Sequence, residues 1–204
     1  MKTILIGAAV SLGLVGTALA QEKAAVSPEV LEKAVTQSWP KLPPELQARL
    51  EQDETARECT TYRNNPPPKI AEAIVTREKA SIVYPADGKF MGDWKAGEKG
   101  AFSGYGFRMG DDPKRAVGGN CYACHQMKAA EISYGTLGPS LLGYGKSKGK
   151  TPQAQKEVYE KIANPQSVLA CSNMPRFGHN KVLTPEQIKD YVAYLLDPES
   201  PVNK

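Results

Sequence analysis

Histidine is scarce in this chain: His125 and His179 are the only two in 204 residues. Beyond the first twenty residues no run is apolar enough to span a bilayer. Strand-like alternation of any length is missing, as are internal repeats, and the periodicities present are helical. Neither sign of charge dominates, since 26 basic residues face 22 acidic ones. No clustered basic face stands out, which argues against nucleic acid as a partner. No paired carboxylates, serine triad or activated cysteine setting can be pointed to. Gly145 to Thr151 comes close to a phosphate-binding loop, but three residues separate its glycines where the motif needs four, and no buried strand precedes it. It reads as a solvated basic loop.

What is there centres on Cys121-Tyr122-Ala123-Cys124-His125. Two cysteines two residues apart, followed at once by histidine, form a c-type haem attachment motif. The thiols can form thioethers to the two vinyl groups on one porphyrin edge, and the next residue then falls beneath the iron. His125 is the expected proximal ligand. A zinc site would need more cysteine or histidine ligands nearby than the chain supplies. A bare dithiol redox pair is the other reading of the two cysteines.

The N-terminus reads as a secretory signal over residues 1–20: Lys2, an apolar stretch from Ile4 to Val15, and the small-residue pattern Ala18-Leu19-Ala20, with cleavage expected before Gln21. The product is expected to be periplasmic, with no membrane span in the mature chain. Export fits covalent haem attachment, which takes place outside the cytoplasm. It also fits a disulfide between the two remaining cysteines, Cys59 and Cys171. Two free thiols, or a bond to another subunit, are the alternatives.

The mature chain reads as all-α. Residues 21–85 are expected to form a helical N-terminal extension packed on a haem domain of residues 86–204. Ser27-Pro28 starts a helix with Val30, Val35 and Trp39 as an imperfect stripe. Pro43-Pro44 starts a second, with Leu46 and Leu50 one turn apart, running through Cys59 towards Tyr62. Asn64 to Pro68 breaks the chain, and a third helix carries Ile70 and Ile74. Asp93 caps a short helix over residues 94–102 whose glycines make sense if another helix crosses closely. Gly104 to Asn120 is a loop. Thr151-Pro152 opens a helix with Val158 and Ile162 on one face and a Glu157–Lys161 surface pair. Thr184-Pro185-Glu186-Gln187 is a capping box, followed by Ile188, Tyr191, Val192 and Leu195 at helical spacing.

The sixth iron ligand has several candidates: Met91, Met109, Met127, Met174 and His179. Met127 is two residues past His125, so the chain holds it near the proximal side. Met91 and Met109 sit in loops ahead of the motif and read as packing residues. Met174, in Ser172-Asn173-Met174-Pro175-Arg176-Phe177, lies on a proline-stiffened loop that can reach the opposite face. Its thioether favours ferrous iron and raises the reduction potential. It is the expected ligand, with His179 a surface loop residue. Gly138-Pro139 supplies a backbone carbonyl that can accept the His125 Nδ1–H and fix the ring.

These features together resemble the class I cytochromes c over about residues 90–198. The shared pattern is a glycine-bearing early helix, the haem motif, a Gly-Pro loop, a methionine-proline loop and a capped last helix with Tyr191 and Tyr194. The resemblance implies a close crossing of the first and last helices, with Gly97 or Gly100 against Tyr194. Gly92 to Glu98, Gly119 to His125 and Gly135 to Pro139 are similar to the SoxX subunits of the thiosulfate-oxidising SoxAX complex. That likeness implies one covalently attached haem c with His/Met ligation and a heterodimer with a SoxA-type cytochrome subunit that holds the catalytic site. It further implies a carrier protein with a thiosulfate-accepting cysteine and a soluble cytochrome c as electron acceptor. A free diffusible class I carrier, and a haem enzyme or gas sensor with an open ligand position, are the competing readings.

Overall fold

A computed structural model describes residues 27–41, 50–106, 108, 110–112 and 114–204. The signal segment, the start at Pro43-Pro44 with Leu46, and Met109 lie outside the described residues. Among these residues there are helices and turns and no strand. The chain divides into two units, one ending at Glu51 and one running from Gln52 to Lys204. In the first, helix α1 (Pro28–Ser38) starts where Ser27 and Pro28 dictate. The Ser27 hydroxyl accepts the Val30 amide at 3.3 Å, and none of the helix residues is buried.

The second unit carries the core. Helix α2 (Glu54–Thr61) has its own cap, Asp53, whose carboxylate accepts the Ala56 amide at 2.7 Å. Leu50 to Asp53 is not helical, so no single helix runs from the Pro43-Pro44 start to Tyr62. The Asp53 side chain competes for the first free N–H groups and begins a new helix. Helix α3 (Pro68–Ala80) follows, with Ile74 fully buried beside Cys59 and Cys171. Those two cysteines are bridged, with a Cα–Cα distance of 5.4 Å across 112 residues of sequence.

Helix α4 (Trp94–Ala101) is capped by Asp93 and crosses the last helix, α7 (Pro185–Leu196). The crossing is close because glycines face it. A Cβ on Gly97 would stand 2.7 Å from the Asp190 carbonyl carbon and 2.8 Å from the Tyr194 Cβ. Gly100 meets the Tyr191 ring instead, with Cε1 at 2.7 Å. The crossing therefore uses both glycines and both tyrosines. Helix α6 (Pro152–Ala163) packs on α7 and contributes Val158, Tyr159 and Ile162. From α7 come Ile188, Tyr191, Val192, Tyr194, Leu195 and Leu196, all buried. Each fully buried aliphatic side chain is worth roughly 1.5–3 kcal/mol relative to exposure. The capping box at Thr184 forms in both directions, at 3.2 and 3.0 Å.

Two further expectations change here. Gly145 to Lys148 is no open loop: it belongs to a short helix α5 (Tyr144–Lys148) packed against α7 and the C-terminal turn. Asn203 accepts the Gly145 amide at 2.7 Å and donates to the Leu195 carbonyl at 3.0 Å, so a side chain ties the three pieces together. Glu157 pairs with Lys148 on α5, not with Lys161. Lys161 is partly enclosed, and burial pushes its ammonium below its ordinary pKa.

Candidate haem site

Asn120, in the left-handed region at φ +48°, turns the chain into a 3₁₀ turn over Cys121–Ala123. The His125 amide closes back onto the Cys121 carbonyl at 2.9 Å, which places the imidazole one turn beyond the first thiol. The next segment runs beside this turn. Gly135 N–H donates to Tyr122, Gly138 N–H to Cys124 and Leu141 N–H to Gln126, at 2.9, 2.8 and 2.8 Å. That ladder brings Gly138-Pro139 behind the ring. His125 Nδ1 lies 2.7 Å from the Pro139 carbonyl oxygen, which can only accept, so Nδ1 carries the proton and Nε2 is left as the metal-binding nitrogen. Gly138 has no room for a side chain: a Cβ would sit 2.5 Å from Nδ1 and 2.7 Å from Nε2.

The ring borders a narrow apolar cleft of about 40 Å³. Cys121, His125 and Met174 line it together with Met127, Leu141 and Phe177. Tyr191, Tyr194 and Leu195 of α7 also reach it. Cys121 and Cys124 are not bridged to each other. Burial pushes the Cys121 thiol up to about 12. A dithiol redox pair needs a lowered thiol pKa, so this setting disfavours that reading. An imidazole presenting Nε2, two unbridged thiols beside it and a thioether on the same apolar cleft form a donor set that fits haem c.

Of the other sixth-ligand candidates, Met91 and His179 lie outside this cleft, while Met127 lines it together with Met174. Met127 is 1% exposed and shares the cleft with His125. Met91 packs against the core beside Gly92, whose amide is held by the Lys189 carbonyl. His179 faces a neighbouring cavity bounded by Ile82, Tyr159 and Ile188. It is no plain surface residue. Its ring nitrogens lie 3.7 Å from both Asp53 and Glu78, and Nδ1 is 3.3 Å from the Ser81 hydroxyl.

The loop that carries Met174 is anchored by residues the motif search passed over. Arg176 is forked between Asp53 at 2.6 Å and Glu78 at 3.3 Å. Glu78 is nearly sealed from solvent and also accepts from Thr55 at 2.5 Å and Asn164 at 2.6 Å. Burial would raise the Glu78 pKa, but those donors and the nearby Arg176 outweigh it and hold the carboxyl below its usual value. Asp53 is lowered in the same way: desolvation opposes, while the Ala56 amide and Arg176 prevail. The sequence signal was an arginine two residues past the methionine and next to Phe177, where a buried cation needs carboxylate partners.

Residues 111–197 match the cytochrome c family model. Over 159 residues, 75% of this chain and 73% of the relative, the sequence is 44% identical to an uncharacterized lipoprotein of Aquifex aeolicus (strain VF5). With the haem motif, the ring-holding Gly-Pro loop and the crossed helices already in place, the chain belongs to the cytochrome c family, whose domain implies covalently bound haem c and electron transfer through it.

Proposed function

We propose that this protein is an exported monohaem cytochrome of the SoxX type. It would serve as the electron-transfer subunit of a SoxAX complex, an L-cysteine S-thiosulfotransferase. The carrying observation is that His125 and Met174 line one apolar cleft, with the imidazole fixed by Pro139. Cys121 and Cys124 would hold haem c, and His125 and Met174 would be its axial ligands. The bound group supplies a one-electron couple. The chain's part is to keep both ligands in place and to exclude water. A soft thioether favours the reduced form, and a filled sixth position suits electron relay better than substrate binding. The thiosulfate-coupling site then belongs to a SoxA-type partner. Electrons would pass through this subunit to a soluble cytochrome c, while the sulfur product stays on a carrier-protein cysteine. The lipoprotein designation of the Aquifex relative supports export, and periplasmic residence with cleavage before Gln21 is part of this reading.

The test is purification from the native periplasm, with a haem spectrum and identification of any co-purifying subunit. A stable heterodimer that is reduced on adding thiosulfate and carrier protein supports the assignment. A strictly monomeric, partnerless protein would point instead to the free diffusible carrier. Carbon monoxide binding to the reduced protein would count against both.

A further inference from the structure

We propose that Arg176 is a positioning residue for Met174: its forked guanidinium, held by Asp53 and Glu78, fixes the loop so that the thioether stays directed into the cleft. The proposal rests on the reading of Met174 as the ligand opposite His125.

Met174 has an anchor on each side of it in sequence. Three residues earlier, Cys171 is bridged to Cys59 on α2. Two residues later, Arg176 reaches Asp53 at the start of α2 and Glu78 on α3. Between them, Asn173 meets the Asn64 amide at a marginal 3.5 Å. The loop has little regular backbone structure of its own. Its next backbone tether is the Gly178 amide on the Ala163 carbonyl at 2.8 Å, after Arg176. The side chain of Arg176 is 14% exposed and that of Glu78 is 4% exposed, so this arm of the clamp is shielded from water, while Asp53, 39% exposed, closes its outer side. A planar guanidinium with two carboxylates on different elements sets direction as well as distance. The disulfide alone leaves the three residues from Cys171 to Met174 free to pivot, and Arg176 removes that pivot. His179 flanks the same two carboxylates but does not replace the fork.

The experiment uses the mature holoprotein and reads two quantities. One is the far-red absorption of methionine-ligated ferric haem; the other is the affinity of exogenous imidazole for the oxidised protein. Met174→Ala tests the underlying reading: if it leaves both unchanged, that reading fails and the proposal falls with it. With the reading standing, Arg176→Leu should weaken the absorption and raise imidazole affinity by about tenfold or more, because the ligated state becomes less populated. Arg176→Lys should recover part of the effect. Asp53→Asn, a milder change, should act in the same direction and covers the case where Arg176→Leu does not mature. Lys79→Leu is the structural control: it breaks the ion pair from α3 to Glu160 on α6 without touching the loop or the groups that hold Arg176, and should leave imidazole affinity unchanged. Imidazole affinity within about twofold of wild type in Arg176→Leu (or in Asp53→Asn, should the former not mature), or equal shifts in Lys79→Leu and Arg176→Leu, would overturn the proposal while leaving the ligand reading intact.

Discussion

Adding one methyl group at Gly138 tests the proximal side directly. In Gly138→Ala the new Cβ would run into His125 Cε1 and stand 2.5 Å from Nδ1, where an ordinary contact begins at 3.4 Å, so the ring or the loop must retreat by more than about 0.9 Å. The loop cannot retreat easily. Its amides at Gly135, Gly138 and Leu141 are all bonded to the Tyr122–Gln126 turn that carries the ring. The ring cannot retreat without stretching its 2.7 Å hydrogen bond to Pro139. Overpacking of this kind costs roughly 1–3 kcal/mol. At about 2–4 °C per kcal/mol for a chain of this size, the melting temperature should fall by about 2–12 °C. The displaced imidazole should also alter the visible spectrum and the midpoint potential. Gly104→Ala is the matched control, because its Cβ meets nothing closer than Asn120 at 3.5 Å. The assay is a thermal melt followed at the haem band, with a redox titration on the same samples. A Gly138→Ala protein that melts within about 1 °C of wild type with an unchanged spectrum and potential would refute the argument.

Three further outcomes are expected. Gly97→Ala forces α4 off the Asp190 backbone and the Tyr194 Cβ, neither of which can yield as the far end of a flexible side chain would; the melting temperature should drop by several degrees, and an unchanged melt would contradict the close crossing. Replacing Cys59 and Cys171 together by serine removes a bridge spanning 112 residues, worth about 4–5 kcal/mol in the chain-entropy model; denaturant titration should show most of that loss, and alkylation of either thiol in the wild type without reductant would count against the bridge. Acid should loosen the Asp53–Arg176–Glu78 cluster. Both carboxyls sit below their ordinary values of 3.8 and 4.5, so their contribution is full above that range and is lost as pH falls through the lower folded values. Glu78→Gln should therefore flatten the acid limb of a stability–pH curve measured from pH 5 downward, and an identical limb would rule the cluster out as its cause.

How far the sequence could be read depended on the range of the interactions. The haem motif, the Gly-Pro loop and the capping box at Thr184 are local patterns, and their geometry follows from neighbours within a few residues. Asp93 and Ser27 as caps belong to the same class. The glycines of α4 were legible only as a demand for a close partner, and which tyrosine met which glycine needed the crossing itself. The break at Asp53 went unread because its side chain competes with a helix that Leu46 and Leu50 seemed to continue. The Glu157 pairing went unread because Lys148 arrives from another helix, nine residues earlier in sequence. Least legible was the polar cluster under the Met174 loop, built from Asp53, Thr55, Glu78, Asn164 and Arg176. No spacing rule joins residues so far apart.

That cluster also bears on why α2 and α3 are present at all. The cleft itself is lined from Ala101 onward, by α4, the haem turn, α6, the Met174 loop and α7. Nothing from α2 or α3 reaches it. What they supply is the far end of each anchor on the Met174 loop: Cys59 for Cys171, and Asp53 with Glu78 for Arg176. Their own apolar contribution is small, a single cluster around Ile74. A buried charge pair adds little net stability over an apolar replacement, so stability alone is a poor account of the arrangement. Specifying one loop conformation is a better one. With Met174 as the proposed ligand, the two helices would act on electron transfer from outside the cleft, by narrowing the range of positions open to its thioether.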